Sequence, residues 1–155
     1  MSKSTTLTSR RSECPIAFGL DLFGDKWTLL ILRDILFYKV TRFSDFAVRE
    51  GISTNILAER LARLENADII TKEQDKTLKN QNIYHITSKG RNLLPTLVEM
   101  SIWGLLYDEQ TSVSKKFTHR LATQRSQIAK EITDAVNSGT FNEYRAQEMG
   151  VNPNL

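Results

Sequence analysis

Between Ile52 and Leu64 the chain carries its most restrictive pattern. Ser53 is a good N-cap, since its hydroxyl can accept from an orphan N–H of the following turn, and Ile52 before it is placed to staple onto Leu57. Leu57, Leu61 and Leu64 recur at four- and three-residue spacing, the apolar stripe of an amphipathic helix. The other face offers Thr54, Asn55, Ala58, Glu59, Ala62 and Arg63. A short helix from about Phe43 to Arg49, ended by Gly51, is expected immediately before it. Immediately after it, Ile69–Glu73 and Ile83–Thr87 are short and β-branched and read as two strands. The polar stretch Gln74–Asn82 between them makes the tip of an antiparallel hairpin.

The flanking segments are helical. Cys14–Pro15 opens a helix, proline being favoured where its missing N–H costs nothing, and Gly24 stops it. Asp25 can cap the next helix, in which Trp27, Leu29, Leu30, Ile31, Leu32, Ile35, Leu36 and Phe37 are apolar around most of the circumference. A helix of that kind is buried on nearly all sides. Tyr38–Arg42 is a connection. Beyond the hairpin, Thr87 or Ser88 caps a long helix running through Leu93, Leu97, Trp103 and Leu106. A further helix is expected from about Ser114 to Val136, ended by Asn137–Ser138–Gly139, with one more turn around Phe141 to Met149. The fold class is therefore mainly α with a small β-hairpin. With 155 residues there is room for about one domain. The reading divides it into a polar tail (1–11), a helix-turn-helix domain with its flanking helices (12–110) and a C-terminal helical extension (111–155).

Composition narrows the function classes. A hydrophobic content of 40% argues against a fully disordered chain, and the single cysteine, Cys14, excludes an internal disulfide framework. The longest apolar runs are four residues, such as Leu29–Leu32, far short of a membrane span. Arg10–Arg11 is not read as an export signal, because Glu13, Asp21 and Asp25 stand where an apolar core belongs. A cytoplasmic protein is expected. His85 and His119 have no ligand partners at helical spacing, so no metal and no cofactor is expected. Neither a phosphate-cradling glycine loop nor a nucleophile motif is present, and nothing in the sequence motivates an enzyme.

Net charge is only +3, but it is unevenly spread: residues 39–92 hold ten basic and seven acidic groups, whereas residues 93–155 hold six and seven. The excess falls where the capped helix and hairpin lie, as a localised footprint on a polyanion requires. A helix with a small, polar N-terminus can enter the major groove and read base edges. Thr54, Asn55 and Ala58 are the expected base contacts. Ser53, Arg42, Arg63 and the hairpin-tip residues Lys76 and Lys79 are the expected phosphate contacts. Arg60, beside Glu59, is read first as a partner for an acidic side chain. Trp27 and Trp103 are read as core or interface residues.

Several of these pieces together resemble the HxlR-type winged helix-turn-helix transcriptional regulators. They are Cys14–Pro15, Gly24–Arg33, Arg42–Phe43, Gly51–Ser53 with Leu57, Arg60–Leu61 and Leu64–Glu65, then Tyr84, Ile86–Thr87, Gly90 and Trp103–Gly104. The resemblance implies a MarR-like fold and a homodimer formed through the N- and C-terminal helices. It further implies sequence-specific binding to double-stranded DNA at a pseudo-palindromic operator, with no membrane partner. Some members sense oxidants through a cysteine at the place of Cys14, so gating by thiol oxidation or a small-molecule effector is an expectation of the resemblance. In this chain Ala67–Asp68 stands where the family usually has glycine, the loop around Lys39 also lacks the usual glycine, and the hairpin lacks the usual proline before Tyr84. The alternative reading is a winged-helix module that binds protein and never touches DNA.

Overall fold

A computed structural model describes residues 12–46, 50–78 and 81–151. The chain divides into two units, the first formed by residues up to Ile35 together with Val40–Arg91, the second by Leu36–Lys39 and the residues from Asn92 onward.

In the first unit, α1 (Pro15–Phe23) begins with proline in its first turn and closes at Gly24, whose N–H reaches the Leu20 carbonyl. Helix α2 (Thr28–Tyr38) follows after four residues and contributes its part up to Ile35, with Thr28, Ile31, Leu32, Asp34 and Ile35 buried. The expected helix over Phe43–Arg49 is not formed as such. A single 3₁₀ turn spans Phe43–Asp45, and Phe46 already has extended backbone (φ −78°, ψ 133°). The reason is tertiary: Phe46 is buried and meets the Tyr84 ring edge-on at 5.9 Å, a seat that a continuing helix would not give it. Residues 47–49 lie outside the described residues, as does the tail at 1–11.

Gly51 takes φ +69°, a left-handed value that a side chain resists, and so redirects the chain into α3 (Thr54–Asn66). Leu57, Leu61 and Leu64 are buried as the stripe requires. The helix ends in a Schellman turn: the Ile69 N–H bonds Leu64 O and the Asp68 N–H bonds Glu65 O, both at 3.0 Å. Strands β1 (Ile70–Gln74) and β2 (Asn82–Ile86) then pair antiparallel with Ile70 opposite Ile86 and Lys72 opposite Tyr84. They are shifted by one residue from the segments expected. The chain before the 3₁₀ turn adds an edge, since Tyr84 N–H donates to Thr41 O at 2.8 Å and Arg42 bridges Ile83.

The expected long helix after the hairpin is broken in two. Helix α4 (Ser88–Arg91), capped by the Thr87 hydroxyl accepting from Gly90 N–H at 3.0 Å, stops before α5 (Leu94–Tyr107) begins. Pro95 explains the break, because its ring would clash with the Arg91 carbonyl four residues back and it has no N–H to donate.

In the second unit, the helix expected over Ser114–Val136 is likewise two, α6 (Lys115–Thr123) and α7 (Arg125–Ser138), separated at Gln124 (φ −129°, ψ 36°). A straight helix would carry Gln124 and Arg125 three and four places after the buried Leu121, onto the apolar face. Breaking there leaves both exposed. Helix α8 (Phe141–Tyr144) and a π-helical turn (Arg145–Met149) complete the unit. Helices α6 and α7 pack on α5, and the buried set includes Leu94, Leu97, Val98, Ile102, Phe117, Leu121, Ile128 and Ile132. Arg120 holds this assembly together at its polar edge, pairing with Glu131 at 2.5 Å and Glu148 at 3.0 Å, while the Tyr144 hydroxyl donates to Glu131 at 3.1 Å. Lys39, at φ +57°, donates through Nζ to the carbonyls of Leu36 and Val136, each at 2.8 Å.

Candidate nucleic-acid interface

The outward face of α3 is built by its own cap and stripe. Ser53 sits in extended backbone, and its hydroxyl accepts from Ile56 N–H at 3.4 Å, leaving the other first-turn N–H groups at an exposed helix start. With the leucines turned inward, Ser53, Thr54, Asn55, Ala58, Glu59 and Ala62 are exposed together. The side chains near the start are short, so another surface can approach the helix closely. The positive end of the helix dipole points the same way, which favours an anion there.

What holds this face in place is a charge cluster in which Arg60 has acidic partners, as its place beside Glu59 suggests, and in which Asp25 and Arg63 join it unexpectedly. Asp25 caps α2 as expected: Oδ1 accepts from the N–H groups of Trp27 (2.9 Å) and Thr28 (3.1 Å), and Oδ2 from the Thr28 hydroxyl (2.5 Å). The same carboxylate faces α3, with Arg60 Nε 3.0 Å from Oδ1 and Arg63 Nη1 3.8 Å from Oδ2. Arg63 also donates to the Asp21 carbonyl at the end of α1. Burial works against the charge on Asp25, but hydrogen bonds from Thr28, Trp27 and Arg60 outweigh it and bring the carboxyl down to about 2. Arg60 keeps only 17% of its side chain exposed and reaches Glu59 as well, at 2.5 Å. Arg63, read from sequence as a phosphate contact, is thus already engaged with α1 and α2.

The hairpin has its own anchor. Asp75 is buried, and its Oδ1 accepts from the Thr77 hydroxyl (2.6 Å), the Thr77 N–H (2.7 Å) and the Leu78 N–H (3.2 Å). Its Oδ2 takes Arg42 Nη2 at 2.9 Å. Thr77 above all, with Leu78 and Arg42, holds this carboxyl well below the usual range. Arg42 is therefore a brace for the hairpin, with 42% of its side chain still exposed. Lys76 is exposed beside this turn. Lys79 lies outside the described residues. Lys72 pairs with Glu65 at 3.4 Å and Lys89 donates to Ala67 O at 2.6 Å, tying β1 and α4 to the end of α3. Cys14 is the exposed N-cap residue of α1.

Among the described residues, no helix is long and apolar enough to cross a membrane, and no three His, Cys, Asp or Glu are grouped to hold a metal ion.

A capped helix, α3, followed at once by a braced two-stranded hairpin is the arrangement of a winged-helix protein. The family model for HxlR-like helix-turn-helix proteins matches residues 22–112, and the chain belongs to that family. The uncharacterized HTH-type transcriptional regulator YybR of Bacillus subtilis is 30% identical over 109 residues, covering 67% of this chain and 83% of that protein. Among solved structures, the candidate transcription factor PA1607 superposes with a TM-score of 0.58 at 36% identity, over 68% of this chain and 77% of its own. The reduced form of the regulator YodB from B. subtilis does so with 0.50 at 27% identity, over 65% of this chain and all of its own. The protein is a transcriptional regulator of the HxlR type, and its relatives are regulators and not enzymes.

Proposed function

We propose that this regulator is a homodimer that binds double-stranded DNA sequence-specifically at a pseudo-palindromic operator. The observation that carries the reading is the exposed, short-chained N-terminal face of α3, set beside a hairpin that carries an exposed lysine. Thr54, Asn55 and Ala58 read base edges in the major groove. Ser53, Lys76, Lys79 and the exposed part of Arg42 meet the phosphates on either side. Two copies of α3 then enter successive major grooves about 34 Å apart.

Two exposed apolar stripes, one on each unit, support the homodimer. Helix α1 exposes Ile16 (73%) and Leu20 (55%) one turn apart, and α5 exposes Met100 (57%), Trp103 (62%) and Tyr107 (66%) on one face. Such surfaces are costly to leave in water and rich in the residue types that anchor interfaces. Cys14, exposed at the head of α1, is the group through which an oxidant would act on such a dimer. DNA binding by the Cys14→Ser variant, with and without a thiol oxidant, measures that gating.

Selection from random duplexes with the purified protein tests the central reading. A recovered duplex is then titrated over a salt series. Asn55→Ala should change the preferred sequence, whereas Lys76→Ala should weaken all sequences alike and reduce the salt slope by about 0.9. A protein that recovers no duplex is not a DNA reader.

A further inference from the structure

The Asp25 cluster has a geometry that a helix cap alone does not need. On a helix of about 100° per residue, Arg60 lies about 160° around α3 from Ala58 and from Ala62, on the side away from the exposed face. Its guanidinium is turned inward onto Asp25, and Arg63, one turn further on, is turned to Asp25 and to the last turn of α1. One carboxylate thereby caps α2 and pairs with two cations of α3, one of which also grips α1. We propose that Asp25 is a positioning residue for DNA reading: through Arg60 and Arg63 it fixes the rotation and tilt of α3, and these two arginines serve that orientation and make no phosphate contact. The inference rests on the DNA-binding reading above.

Three features support it. Arg60 Nε lies within ion-pair distance of Asp25 Oδ1 (3.0 Å) and Nη1 within that of Glu59 (2.5 Å), so a phosphate would have to compete with carboxylates already in place. Asp25 is part-buried, where an ion pair is less screened by salt than on the open surface. Further, the buried residues of α3 are three flexible-chained leucines, and the Asp25 pairs on its flank add a directional constraint to that packing. Asp25→Asn is the informative change, because an amide oxygen can still accept from the Trp27 and Thr28 N–H groups while the charge facing the arginines is gone.

The experiment uses a duplex recovered by the wild-type protein from a random library. Affinity, salt slope and base preference are measured for wild type, Asp25→Asn and Arg63→Ala, each first checked for a native circular dichroism spectrum and melt. Both variants should bind about 3- to 10-fold more weakly, with broadened preference at the bases facing Thr54, Asn55 and Ala58 and an unchanged salt slope. A slope lowered by about 0.9 in Arg63→Ala would reveal a phosphate contact and overturn the positioning role, as would wild-type affinity and preference in Asp25→Asn. Should Arg63→Ala not fold, Arg60→Lys reads the same quantities, since it keeps the charge but loses the planar fork. A wild-type protein that recovers no duplex overturns both readings, whereas the variant outcomes overturn only this one.

Discussion

A methyl group added at Gly90 would lie 2.3 Å from the Ile69 carbonyl oxygen and 2.5 Å from Ile86 Cδ1. The backbone of α4 therefore approaches the start of β1 more closely than any side chain permits. Gly90→Ala should destabilise the protein by about 1–3 kcal/mol, seen as a lower urea midpoint, because a backbone oxygen cannot step aside as a side chain would. Asp25 gives a second expectation. Its folded-state value of about 2 lies below the ordinary 3.8, so the stability it confers is complete above that ordinary value and is lost as pH falls through 2. The difference in stability between wild type and Asp25→Asn should be largest above pH 5 and shrink steadily toward pH 2, measured by denaturant titration at each pH. The cap itself was legible in the sequence, since Asp25 and its N–H donors are two and three residues apart. That Arg60 takes an acidic partner was legible too, but not that Asp25 is one, nor that Arg63 turns to it. Arg63 reaches Asp21 across 42 positions, and nothing local in the chain reveals which way a long, flexible cation will turn.

At the level of elements, legibility followed the range of the forces. Helix α3 was readable because its cap, stripe and stop are all local, and the hairpin because β-branched runs flank a polar tip. The breaks at Pro95 and Gln124 are local too, but the apolar periodicity runs on across each of them and masks the break. The 3₁₀ turn at Phe43–Asp45 is different in kind, since burial of Phe46 against Tyr84 decides it. Asp68 shows how this chain manages a position that glycine takes most easily. It sits at φ +57° in the Schellman turn between α3 and β1, a conformation that aspartate tolerates better than most residues. Asp68→Val should cost about 1–2 kcal/mol, because a β-branched side chain is an outlier at positive φ, whereas Asp68→Gly should be neutral or slightly stabilising. Paired thermal melts of the two variants distinguish this backbone effect from loss of the carboxylate, which both share.

For the whole molecule, the central question is what covers the apolar faces that each unit leaves exposed. Helix α5 is two-sided: Leu94, Leu97, Val98 and Ile102 are buried within its unit, where α6 and α7 pack, while Met100, Trp103 and Tyr107 stand outside. The C-terminal helices run beyond residue 112, where the family match ends, so they occupy one side of α5 and restrict where a second copy can dock. In the proposed dimer, Trp103 and Tyr107, with ring centroids 5.4 Å apart, would anchor that contact. Trp103→Glu should leave the protomer folded, since the side chain already faces water, but place a charge in the centre of the proposed interface. Sedimentation equilibrium should then show the dimer dissociation constant raised by about tenfold or more, the equivalent of about 1.4 kcal/mol. Binding to a full pseudo-palindrome should weaken in step, because a protomer that reaches only one half-site loses the linkage between its two reading heads. Binding to an isolated half-site should hardly change. If Trp103→Glu remains dimeric at wild-type concentrations, this face of α5 is not the dimer contact, and the homodimer proposal loses one of its two supports.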